Sequence, residues 1–208
     1  MIREDIKEFI KTIPNNVTLV AATKYINADD VRELYKNGVT NFGENRVDAF
    51  IDKYLKLQDL NITWHFIGHL QRNKAKEVAN KIDYLHSLDS IELAKKLNTL
   101  RNKPLNVFIE ASINLEENKN GVPYYEVKNF IKEIMGLNNI NIVGLMMMAY
   151  KDSDNPEQEF KKLADLRDQL EQELSIKLPY LSMGMSDDYE AAIKAGATHI
   201  RLGRILYK

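Results

Sequence analysis

Lys24 carries the most versatile chemistry in this sequence. It follows an apolar run, VTLVAA (17–22), where a lysine can simply lead its charge out to solvent. An amine partly withdrawn from water at that place has a second use. Its lowered basicity lets it attack an aldehyde and form a Schiff base. The octet LSMGMSDD, Leu181 to Asp188, interrupts an apolar run with two hydroxyls and a flexible glycine, then opens a helical pattern. Unpaired N–H groups at a helix start attract phosphate. The spacing places Ser186 as the N-cap of the helix SDDYEAAIKAG, with Gly184 allowing close backbone approach. Plain capping, with Asp187 and Asp188 complementing the helix dipole, is the competing use of the same residues. The two acids suit a bound anion only if they point away.

In THIRLGR (198–204), Gly203 and Arg204 offer two further amides. Arg201 either pairs with a carboxylate or donates to a ring nitrogen of a bound cofactor. A reactive amine, a phosphate grip and a donor for a pyridine nitrogen together match the needs of pyridoxal 5′-phosphate (PLP). The histidines suggest no metal: His65 and His69 are four apart but lack the His-Glu-x-x-His pattern and span Gly68. His86 and His199 are expected to be packing or surface residues, and Met146 to Met148 core or pocket lining.

The elements that must position these residues alternate. Strand candidates are 17–22, 39–43, 63–68, 83–87, 105–112, 141–148, 178–183 and 198–203, separated by segments of helical period. In NADDVRELYKNG, Val31, Leu34 and Tyr35 share a face, Asp29 and Asp30 favour the N-terminus, and Gly38 sits where a left-handed end residue belongs. NPEQEFKKLADLRDQLEQEL is the longest helix, with Phe160, Leu163, Leu166 and Leu170 as its buried stripe. Segment 114–125 is expected to be a loop into a helix, with Pro123 near the first turn. KNGVTNF (36–42) and KAGATHI (194–200) echo one another as a helix end, a glycine and a new strand.

Eight strands, each but the last followed by a helix, predict a closed (β/α)8 TIM barrel; an open doubly wound sheet is the rival. A helix from Ile2 to about Thr12 is expected to fill the gap left after the eighth strand. In a barrel, chemistry collects at the strands' C-terminal ends, where Lys24, Asn45, Ser112, Ser182 and Gly203 fall. With no linker or composition shift, residues 1–208 are expected to form one domain. With 29 basic and 30 acidic side chains, the formal charge of −1 argues against a dedicated nucleic-acid binder. Cysteine is absent, which excludes disulfides and thiolate chemistry. The charged start lacks a secretory h-region and no stretch reaches the length of a membrane span, so a cytoplasmic protein is expected, and a monomer.

The chain closely resembles the YggS/PROSC family of PLP-binding proteins. The matching segments are VAATKY around Lys24, FGENRV (42–47), WHFIGHLQRNK (64–74), HSLDS (86–90), NKNGV (118–122), VGLMMM (143–148) and the long run 181–204. The resemblance implies a TIM barrel of the alanine racemase N-terminal-domain type, with PLP as cofactor and Lys24 as the Schiff-base lysine. It implies that Arg201 faces the pyridine nitrogen and that Ser186, Gly203 and Arg204 hold the phosphate. Ser182 and Asn45 become pocket residues. Ser112 replaces a usual asparagine, which leaves the fifth-strand contact open.

The cofactor leaves three activities to weigh. An arginine at the ring nitrogen disfavours its protonation, and an open barrel mouth leaves the site wet. Both favour a non-catalytic carrier that holds PLP and releases it to apoenzymes, supporting vitamin B6 and amino-acid homeostasis. A weakly active PLP-dependent amino-acid racemase is the second expectation. A barrel enzyme acting on a phosphorylated metabolite without PLP is the third.

Overall fold

The computed structural model describes residues 2–114, 120–150 and 153–207. Its strands are β1 (Thr18–Ala22), β2 (Asn41–Glu44), β3 (Thr63–Phe66), β4 (Tyr84–Leu88), β5 (Leu105–Ser112), β6 (Val122–Pro123), β7 (Ile140–Met146), β8 (Tyr180–Ser182) and β9 (His199–Leu202). Every strand pairing is parallel, in the order β4-β3-β2-β1-β9-β8-β7-β5-β6. A further β4–β5 pairing closes the ring, leaving only β6 outside it. The eight-stranded barrel therefore replaces the open-sheet alternative.

The helices are α1 (Ile6–Thr12), α2 (Ala28–Lys36), α3 (Val47–Lys56), α4 (Ala75–Val78), α5 (Ile91–Leu100), α6 (Val127–Ile134), α7 (Pro156–Leu174) and α8 (Tyr189–Lys194). Local chemistry starts several of them. Asn27 and Asp30 close a reciprocal capping box on α2, and Asn155 caps α7 ahead of Pro156. The echoed segments share one ending. Val39 N–H bonds to Leu34 O, and Ala197 N–H to Ala192 O, around Gly38 at φ +100° and Gly196 at φ +95°. That is the Schellman stop, made twice. On α7, Phe160, Leu163 and Leu170 are buried and Leu166 half-buried, as its period predicts.

Two expectations need correction here. The N-terminal helix begins at Ile6, not Ile2; Ile2 instead makes an antiparallel bridge with Tyr207. The Phe9 ring meets Tyr189 of α8 edge-on, so α1 does occupy the gap beside the last strand. Pro123 lies in β6 rather than in a first helical turn. An edge strand tolerates proline because one side of it needs no N–H donor. The predicted loop residues 115–119, part of the NKNGV match among them, lie outside the described residues.

Side chains from the outward faces of the strands, such as Phe42, Phe66, Leu85, Val107, Leu145, Leu181 and Ile200, merge with the helices into one apolar layer. The inward face holds a smaller apolar cluster, Phe108, Val143 and Met146, among polar neighbours. No helix of the described residues is long and apolar enough to cross a membrane.

Candidate functional site

The site forms where four neighbouring strands end. β9 pairs with β8 on one side and β1 on the other, and β1 pairs with β2. Their C-terminal ends carry Ser182 and Ser186, Arg201 with Gly203 and Arg204, Lys24, and Asn45. Topology thus brings together residues up to 180 positions apart in sequence.

Lys24 sits two residues beyond β1 and is exposed, its ammonium 4.7 Å from the centre of the Tyr25 ring. The partial desolvation allowed by the sequence is not present in this arrangement. What is fixed is the residue before it. Thr23 is fully buried and donates its hydroxyl to Glu44 Oε2 at 2.9 Å. Lys53, from α3, reaches the same carboxylate oxygen at 2.6 Å and the Thr23 carbonyl at 2.9 Å. Glu44 Oε1 accepts from the Asn45 amide at 2.8 Å. A buried ion pair with every partner engaged therefore clamps the ends of β1 and β2, the two segments that carry Lys24 and Asn45. Nearby, the Tyr207 hydroxyl donates to the Ala22 carbonyl at 2.7 Å, and burial pushes this phenol well above its ordinary range.

Ser186 is not the N-cap predicted for it. α8 begins at Tyr189 behind Asp188, whose carboxylate accepts from the Met185 amide at 2.6 Å. The Ser186 hydroxyl instead accepts from the amides of Gly203, at 3.2 Å, and Ile205, at 3.4 Å. With both lone pairs used, its proton remains to donate. The turn that precedes it needs Gly184. This glycine has φ +92°, and a Cβ there would stand 2.6 Å from that of Ala192. The two acids do turn aside, Asp188 to Met185 and Asp187 to an ion pair with the Arg204 side chain.

Arg201 is buried, donating to Ser182 Oγ at 2.6 Å and the Met147 carbonyl at 2.9 Å. Burial lowers it to about 10, partly offset by Glu110 and Asp188, so it stays charged at neutral pH. Glu110, buried on β5, is raised to about 7 by burial and by Asp89, with Arg201 opposing. Asn45 Oδ1 is the only buried side-chain polar atom among the described residues without a hydrogen-bond partner. An unmatched buried acceptor suits a ligand that brings its own donor.

Three features went unforeseen. Lys53 resembles any helix-surface lysine, and nothing in its neighbours betrays burial. Glu110 looks like one residue of an apolar strand. His86 and His199 take the packing alternative expected for them, but the joining of His65 to them inside the barrel was not foreseen. Their signal was present, since polar residues alternate with apolar ones in strands expected to be apolar on both faces. Among the described residues, no cluster of His, Cys, Asp and Glu could hold a metal ion.

A closed ring of eight parallel strands wrapped by helices defines a structural class, and comparison with known proteins agrees. Residues 1–208 match the family described as alanine racemase, N-terminal domain. The chain is 40% identical to the pyridoxal phosphate homeostasis protein of Aquifex aeolicus over 93% of its own length and 87% of that protein's. Among solved structures, PipY of Synechococcus elongatus superposes with TM-score 0.94 without PLP and 0.90 with PLP bound. The two are 32% and 31% identical, covering 100% and 98% of this chain and all of theirs. An alanine racemase of Clostridium difficile shares the fold at TM-score 0.81 and 16% identity, with 99% of this chain covering 57% of the racemase. The chain belongs to the pyridoxal phosphate homeostasis protein family.

Proposed function

We propose that residues 1–208 form one PLP-binding barrel domain that holds PLP as a Schiff base of Lys24. In this reading the protein is a non-catalytic carrier for intracellular PLP and amino-acid homeostasis, working as a cytoplasmic monomer that releases PLP to apoenzymes. One observation carries the reading: the ends of β8, β9, β1 and β2 are neighbours. Those ends carry Lys24, the Ser186 turn, Arg201 and Asn45, which supports one shared site.

When bound, PLP supplies an aldehyde for amines and a ring that withdraws electrons when its nitrogen is protonated. The protein's residues divide the rest of the task. Lys24, on a strand end clamped by Glu44 and Lys53, would hold the aldehyde through its amine. Ser186, whose proton is free, would hold the phosphate, with the Gly203 and Arg204 segment behind it. Arg201, charged at neutral pH, would face the ring nitrogen as a donor and disfavour its protonation, which suits storage over catalysis. Ser182 acts behind Arg201, and Asn45 accepts from a donor on the ligand.

The test is reduction with borohydride after incubation with PLP, followed by peptide mass spectrometry. A pyridoxyl adduct on Lys24, absent in Lys24→Ala, is expected; an adduct on another lysine, or none, contradicts the reading. A weak amino-acid racemase is the second reading, favoured by the fold shared with alanine racemases. Incubation with single-enantiomer amino acids separates the two, because Lys24-dependent formation of the opposite enantiomer overturns the carrier reading.

A further inference from the structure

A line of polar side chains crosses the barrel interior, and its hydrogen bonds admit one direction. Arg201 Nη1 donates to Ser182 Oγ at 2.6 Å. Ser182 Oγ is 2.7 Å from His86 Nδ1, and His86 Nε2 is 2.8 Å from His65 Nδ1. His65 Nε2 is 3.0 Å from Asn41 Oδ1. Both imidazoles are fully buried, which holds them well below the ordinary histidine range, and neighbouring His199 and Arg201 add to the effect. Each ring therefore carries a single proton.

The Asn41 amide nitrogen donates to Thr40 Oγ1 at 3.2 Å, with Oδ1 toward His65; the reverse order would leave the buried Ser182 hydroxyl with no acceptor among the described residues. Working back from that oxygen fixes every proton. His65 holds its hydrogen on Nε2, so its Nδ1 accepts. His86 must then hold its hydrogen on Nε2, and its Nδ1 accepts from the Ser182 hydroxyl. The Ser182 oxygen is left with lone pairs for Arg201. Each N–H and O–H in the line points away from the guanidinium, and each lone pair points toward it.

No carboxylate oxygen lies within ion-pair distance of Arg201 among the described residues. A buried cation without a contacting anion needs another source of solvation. Aligned dipoles supply one, and hydrogen bonds in a chain polarise one another. A carboxylate in contact would instead neutralise the charge and compete for its N–H groups. Ser182 and Met147 together occupy two of the five guanidinium N–H groups, leaving the others to donate elsewhere.

We propose that Ser182, His86 and His65 form a positioning relay that solvates the Arg201 cation in place of a carboxylate and aims its free N–H groups at the PLP ring. The aiming role rests on the PLP reading above; the proton order does not. Nitrogen-15 NMR of the histidine side chains in the PLP-free protein tests the order alone. Neutral Nε2–H tautomers are expected for both His65 and His86 at pH 7. A charged ring, or a proton on Nδ1 of either, overturns the relay whatever the protein binds.

The role is tested by Ser182→Ala and Ser182→Thr with PLP added. Loss of the hydroxyl is expected to weaken PLP retention about 10–100-fold, as for a hydrogen bond to a charged group. It should also move the pH at which the bound chromophore's absorption changes, and shift the His86 ring signals. Threonine, which keeps the hydroxyl, is expected to restore all three. Unchanged retention and absorption in folded Ser182→Ala overturn the relay. If the tautomers are as expected but the unmodified protein takes no pyridoxyl adduct, the PLP reading falls, and the aiming role with it.

Discussion

Along β9, His199 and Arg201 meet groups inside the barrel, while Ile200 and Leu202 join the apolar layer beneath the helices. β8 repeats the pattern, with Tyr180 and Ser182 inside and Leu181 outside, and β3 does so with His65 between Trp64 and Phe66. The two faces of one sheet are thus built differently. The outer face is stabilised by area removed from water, which is insensitive to pH and tolerant of small directional errors. The inner face depends on proton placement. Its rings stack closely, His65 on Tyr84 at 4.6 Å and 7° between planes, and its histidines are held neutral by burial. Stability resides mainly outside; ligand specificity is left to the inside.

Substitutions should separate these faces. The largest effect is expected from Phe66→Ala, which empties a fully buried outer site and should cost about 3–5 kcal/mol in denaturant unfolding. Lys53→Met follows. It strands the Glu44 carboxylate, at a cost of about 3–4 kcal/mol, and loosens the strand end before Lys24. The double variant Lys53→Met, Glu44→Leu should recover much of that stability without recovering PLP retention. Equal loss in single and double variants would show that the pair's charge is not what matters there.

Acid should act on the inner face alone. His199 is lowered from 6.5 to about 4 by burial and Arg201, so its stabilisation is complete above 6.5 and lost as pH falls toward 4. The full span corresponds to about 3 kcal/mol for this group. His65 and His86 shift in the same direction. Glu110 has the opposite sign. Its raised value favours the fold below about 4.5, an advantage lost as pH rises to about 7. Three histidines against Glu110, with Asp188 raised from a lower starting value, predict that unfolding midpoints drop as pH falls from 6.5 to 5, and that Glu110→Gln steepens the drop. A flat profile would contradict neutral interior histidines. The smallest effect is expected at the rim, where Arg204→Ala removes an exposed ion pair and should change stability by less than about 0.5 kcal/mol.

The outer face was the legible one. β-branched or aromatic runs marked every barrel strand, and the repeated helix–glycine–strand segments predicted two stops that prove identical in hydrogen bonding. Such signals are local, because neighbours in sequence make the structure they announce. The misplaced features are those decided across the barrel. Ser186 resembles a cap, yet the amides it serves belong to Gly203 and Ile205, brought near by β8–β9 pairing. Asp188 turns to Met185, and burial of its carboxyl raises it despite that hydrogen bond. The relay joins positions 41, 65, 86, 182 and 201, five elements that meet only once the ring has closed. Lys24 was identifiable by type and strand end, but its direction, over Tyr25 and into solvent, is a matter of side-chain contacts that no spacing records.

A crystal structure of the protein with PLP tests the central claim most directly. Continuous density from Lys24 Nζ to the ligand is expected, with the ring nitrogen facing Arg201 and the phosphate at the Ser186 hydroxyl. Density elsewhere on the protein, or a PLP bound in the mouth with Lys24 unattached, would contradict it.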